Sequence, residues 1–88
     1  MLEGKTENGF NFALNDDAMD DWDLLESLRK IDQGNEQYII DAAIQLLGEE
    51  QYNNLKEFLR KENGKLNASI MASNIMYIIK NAKSLKNL

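Results

Sequence analysis

Three glycines, Gly34, Gly48 and Gly64, punctuate a chain that contains no proline. Between them the apolar residues recur at helical spacing, so the stretch reads as successive helices cut apart by glycine. A first helix is predicted over 20–31, with Leu24, Leu25, Leu28 and Ile31 on one face. Acids gather at its start and Arg29 and Lys30 at its end, as caps and the helix dipole favour. Asn35 is expected to cap a second helix over 35–47, which Gly48 stops. A third runs over 49–63 with Tyr52, Leu55, Phe58 and Leu59 inward, and Asn63-Gly64 closes it. Asn67 is expected to cap a fourth over 68–82.

The first fifteen residues follow a different period. Phe10, Phe12 and Leu14 alternate with Asn11, Ala13 and Asn15, the pattern of a half-buried strand. Asn8-Gly9 precedes them and suits a tight turn, with a first strand through Leu2–Thr6 that Gly4 weakens. A two-stranded hairpin is barely stable alone, so it must lie on the helices or join another sheet. The expected fold is mainly α: a compact bundle of about four helices with an N-terminal β-hairpin. It forms a single domain over 1–88, with the hairpin at 1–15, the bundle at 16–83 and a flexible tail at 84–88.

Composition limits the chemistry available. Neither cysteine nor histidine occurs among the 88 residues. Disulfides and thiolate metal sites are therefore excluded, and so are the commonest general base and the commonest metal ligand. The expectation is a protein that is no enzyme, with no catalytic residues, no cofactor and no metal. At this length one core contributes only a few kcal/mol, so oligomer contacts are the expected reinforcement. No apolar run approaches a bilayer span, and residues 1–12 lack the basic start and apolar stretch of a secretory signal. The chain thus reads as cytoplasmic, with no membrane partner.

The net charge is −5, which disfavours nucleic acid as a partner. The charge is also unevenly placed. Residues 1–41 carry 11 acids and 3 bases, a balance of −8; residues 42–88 carry 4 acids and 7 bases, a balance of +3. Such halves favour head-to-tail association, and a homo-oligomer is expected.

The acids Asp16, Asp17, Asp20, Asp21 and Asp23 lack the glycine and closing glutamate of a calcium loop and are read as helix caps and solvated charge. Glu49 and Glu50 are adjacent on a helix and point about 100° apart, which rules out a paired-carboxylate site. Trp22 is read as a half-buried anchor for the first helix. The second and fourth helices are apolar over more than one face, more than a bundle of this size buries. Ile40, Ile44, Met71, Met76 and Ile79 are therefore the candidate partner-binding residues, the methionines because they repack against varied partners.

Ordered short segments then carry a resemblance. They are Gly4-Lys5-Thr6 with Asn8-Gly9-Phe10-Asn11-Phe12, then Asp16-Asp17-Ala18-Met19-Asp20-Asp21-Trp22 with Leu24-Leu25. Further on come Leu47-Gly48-Glu49-Glu50-Gln51-Tyr52, Leu59-Arg60 with Asn63-Gly64, and Leu85-Lys86-Asn87. Over nearly the whole chain this order resembles the small tail assembly chaperones of long-tailed phages and prophages of Gram-positive bacteria. Lys65-Leu66-Asn67 departs from the pattern, which has a proline before the last helix. The resemblance implies a protein that binds the tape measure protein, keeps it soluble and helps recruit tail tube protein. It further implies action in the infected or lysogenic host cytoplasm, absence from the mature virion, and a longer form made by −1 frameshifting. Leu85-Lys86-Asn87 and Ile79-Lys80-Asn81 are both encodable by a slippery A-rich heptamer. The rival reading is a small acidic helical adaptor, or an anti-repressor or antitoxin-like regulator that sequesters one protein partner.

Overall fold

Apolar residues at two periods need two kinds of element, and the computed structural model, which describes residues 1–86, contains both. The order is β1 (Leu2–Lys5), β2 (Asn11–Leu14), α1 (Trp22–Asp32), α2 (Tyr38–Asn63) and α3 (Ala68–Lys86). The protein is mainly helical with a small hairpin at its start.

β1 and β2 pair antiparallel, Leu2 opposite Leu14 and Gly4 opposite Phe12. The turn is longer than the two-residue Asn-Gly type that the sequence suggests. The Gly9 N–H donates to the Thr6 carbonyl at 2.9 Å, and the Phe10 N–H to Thr6 Oγ1 at 3.0 Å. Only Gly9 takes a positive φ, 97°, while Asn8 does not. The connection is thus a turn followed by a left-handed glycine, the common three-residue alternative. Gly4 proves to be a requirement. A Cβ there would lie 2.5 Å from Phe12 Cζ, so the ring occupies the space that glycine leaves.

The expectation of four helices is corrected to three. Segments 35–47 and 49–63 run on as one element, α2, in which Gly48 alone leaves helical conformation, at φ 81° and ψ 158°. The glycine kinks the helix where it was expected to end it. Asn35 does not cap α2 either. Its carbonyl accepts from the Tyr38 N–H at 3.2 Å in a turn, and α2 starts at Tyr38 with no side-chain cap. The other capping expectations hold. Asp21 accepts from the Leu24 N–H at 3.0 Å, and Asn67 Oδ1 from the Ile70 N–H at 2.9 Å. Gly64, at φ 77°, closes α2 by donating to the Arg60 carbonyl. α3 continues to Lys86, past the predicted stop at 82 and into the stretch expected to be a tail; residues 87 and 88 of that stretch lie outside the described ones.

The core collects Phe10, Phe12 and Leu14 from the hairpin region, Leu24 from α1, Ala42, Ala43, Leu46, Leu47, Leu55 and Leu59 from α2, and Ile75, Ile78, Ile79 and Ala82 from α3. β2 packs on α2 and β1 on α3, so the hairpin covers part of the wide apolar surface of both helices. α1 rests on α2, where Ser27 Oγ, almost buried, donates to Gln45 Oε1 at 2.9 Å. Among the described residues every buried side-chain polar atom has a hydrogen-bond partner. Among the described residues no helix is long and apolar enough to cross a membrane.

Candidate docking groove

The hairpin covers one side of the helical layer. An apolar depression that the hairpin leaves open runs between α2 and the start of α3. Its larger part, about 590 Å³, is lined by Ile39, Ile40, Tyr52, Lys56, Leu66, Met71 and neighbouring residues. A second part of about 460 Å³ is lined by Ile31, Gly34, Ser73 and Met76 among others. The two adjoin and share Glu36, Ile39, Ser69 and Ala72, and together they are called the groove.

Each wall follows from the local sequence. Ile39 and Ile40 come from the first turn of α2, before the kink; Tyr52 and Lys56 are four apart on the same face after it. Leu66 sits in the short connection that Gly64 opens, and Met71 and Met76 lie on α3. The groove is apolar along its length and charged at two points. Lys56 Nζ lies 4.7 Å from the Tyr52 ring centroid, a cation held over an aromatic face, and Glu36 also lines the groove. Nothing in this lining resembles a reaction centre: it offers apolar contact area with a few polar marks. Among the described residues no three metal-capable side chains come together.

Three of the five candidate residues meet here. Ile40, 55 % exposed, and the half-buried Met71 and Met76 all line the groove. Ile44 is half-buried on α2 but lines neither part. Ile79 is a correction. It is 2 % exposed and belongs to the core, because α3 turns it inward with Ile75, Ile78 and Ala82. Tyr52 packs against the core as its place in the inward stripe predicts, and its outer part also forms a groove wall. Leu66 was passed over, although an isolated apolar residue among Asn, Gly and Lys in a helix connection is itself a signal.

Trp22 is a second correction. It is 75 % exposed, with Leu25 at 46 %, because Leu24, Ser27, Leu28 and Ile31 take the inward face and turn these two away. Asp21 alone of the acids caps α1; Asp16, Asp17, Asp20 and Asp23 are exposed. No family model, curated protein or solved structure matches this chain.

Proposed function

We propose that this protein is a non-catalytic tail assembly chaperone of the kind its sequence resembles, and that it holds an apolar helical segment of the tape measure protein in the groove between α2 and α3. The observation that supports this most is that two apolar depressions adjoin and share walls along α2 and α3. Scattered exposed apolar residues are normal, but a groove walled by isoleucine, tyrosine, leucine and methionine is a surface suited to a partner. An amphipathic helix lays residues spaced three and four apart into such a channel, and flexible methionines adapt to different segments along a long client. Copies bound side by side would shield the client in the host cytoplasm until tail tube protein replaces them, so that the chaperone is left out of the virion. Association between copies through the −8 and +3 halves would help such a coat to form.

The test is co-expression with the tape measure protein that this reading expects to be encoded beside the gene. With the unaltered chain the client is expected in the soluble fraction and to co-purify. A chain carrying Ile40→Asp and Met71→Asp should keep its helical circular dichroism and lose most of the client, since a charge in an apolar contact is poorly tolerated. Unchanged capture by a folded double variant would exclude the groove as the client site. A client that stays insoluble with the unaltered chain would exclude the chaperone reading itself.

A further inference from the structure

The hairpin and the kink in α2 meet at Gln51. Its side-chain amide spans two elements: Oε1 accepts from the Ala13 N–H at 2.8 Å, and Nε2 donates to the Ala13 carbonyl at 2.7 Å. The same Nε2 donates to the Leu47 carbonyl at 2.8 Å, immediately before the kink residue Gly48. One side chain therefore pairs with both outward backbone groups of Ala13 in β2, as a neighbouring strand would, and also ties the kink to them. Gly48 itself is held at φ 81° and ψ 158°, a region open to glycine and strongly disfavoured for other residues. Outside its chain neighbours nothing lies within 4 Å of where a Gly48 Cβ would be, so the bend is not required to make room for a side chain there. The groove walls come from both sides of this bend: Ile39 and Ile40 before it, Tyr52 and Lys56 after it.

We propose that Gly48 is a hinge in α2 and Gln51 the latch that holds it bent, so that the hairpin, which does not line the groove itself, sets the width of the docking groove. Releasing the latch lets α2 straighten toward one continuous helix and moves the Ile40 wall away from the Tyr52 wall. The proposal rests on the reading of the groove as the binding site, but the hinge is measurable with no client present.

Because the chain has no cysteine, two introduced ones are the only labelling points. Spin labels at Asp41 and Glu57, exposed residues on either side of Gly48, report the bend by pulsed dipolar spectroscopy. A straight helix would separate their Cα atoms by about 24 Å. The labelled protein should give one narrow distribution shorter than that. Gln51→Ala should broaden it and shift it toward the straight-helix value. Gly48→Ala should shift it further, because alanine disfavours the bent backbone and meets no steric obstacle. A second label pair at Glu36 and Ala68, both lining the groove, should lengthen in the same variants. If Gln51→Ala does not fold, Ala13→Pro removes one of the latch bonds without touching α2, at an outward N–H where an edge strand tolerates proline. An unchanged Asp41–Glu57 distribution in the folded latch variants would overturn the hinge. A straightened α2 with an unchanged Glu36–Ala68 distance would overturn its control of the groove.

Discussion

On the side of α2 that meets the hairpin, Phe12 and Leu14 are 3 % and 1 % exposed, and Gln51 pairs with both free backbone groups of Ala13. On the side that faces the start of α3, Ile40 is 55 % exposed, and Tyr52, Leu66 and Met71 stand half-buried around open space. The residue types differ in the same sense. The closed side uses phenylalanine and leucine fitted to a glycine gap; the open side uses methionine, tyrosine and a lysine folded over a ring. A chain this short buries a modest share of its surface, so it cannot complete both sides. Stability and binding are thus assigned to different faces of one helix. Substitutions should therefore separate the two.

The largest effect is expected on the closed side. Phe12→Ala removes a buried ring that fills the Gly4 gap and anchors the hairpin, and a loss of about 3–5 kcal/mol is typical of such truncations. In a domain of this size that approaches the entire stability. Chemical denaturation should show the variant largely unfolded at room temperature; a midpoint near that of the unaltered protein would mean the hairpin contributes little. A smaller effect is expected at Gly4. Gly4→Ala places a methyl 2.5 Å from Phe12 Cζ, so the ring must shift, at a cost of about 1–3 kcal/mol. Combining it with Phe12→Leu should recover part of that loss, because the flat ring is what alanine meets. A double variant as weak as the sum of the two single ones would show that the fit is not specific.

Much of the closed side was legible in the sequence, since its signals are local. The alternation of Phe10, Phe12 and Leu14 marks one buried strand face, and Asp21 and Asn67 precede apolar runs as caps do. The glycines were legible as punctuation but not in their effect. Gly64 ends a helix and Gly48 only bends one, because the chain after Gly48 returns at once to helical conformation. Gln51 carried no signal at all: a polar residue on a helix becomes a latch only when a strand 38 positions away arrives beside it. The open side was half legible. Periodicity identified surplus apolar surface on the second and last helices, but could not say that Ile79 points inward while Tyr52 lines the groove. Trp22 failed for a related reason. Its hydrophobicity argued for burial, whereas the face of α1 was already filled by Leu24 and Ile31.

That misreading supplies the smallest expected effect and the sharpest control. Trp22 is the only tryptophan and is 75 % exposed, so Trp22→Ala removes little buried area. The change in stability should stay within about 0.5 kcal/mol, as for surface substitutions generally. Asp21, which caps α1 from the neighbouring position, keeps its bond to the Leu24 N–H, so the helix start is not undone. Denaturation midpoints of the two proteins should therefore coincide. The fluorescence of the unaltered protein adds a second reading of the same point: its emission should be solvent-like in the folded state and move little on unfolding. Blue-shifted emission at micromolar concentration that turns red on dilution, with no loss of helix, would mean that Trp22 is covered by another copy. It would make α1 a second open face, and the division of labour across α2 would no longer describe the whole molecule. A loss of several kcal/mol in Trp22→Ala would instead place the indole in the core and contradict the packing of α1 described above.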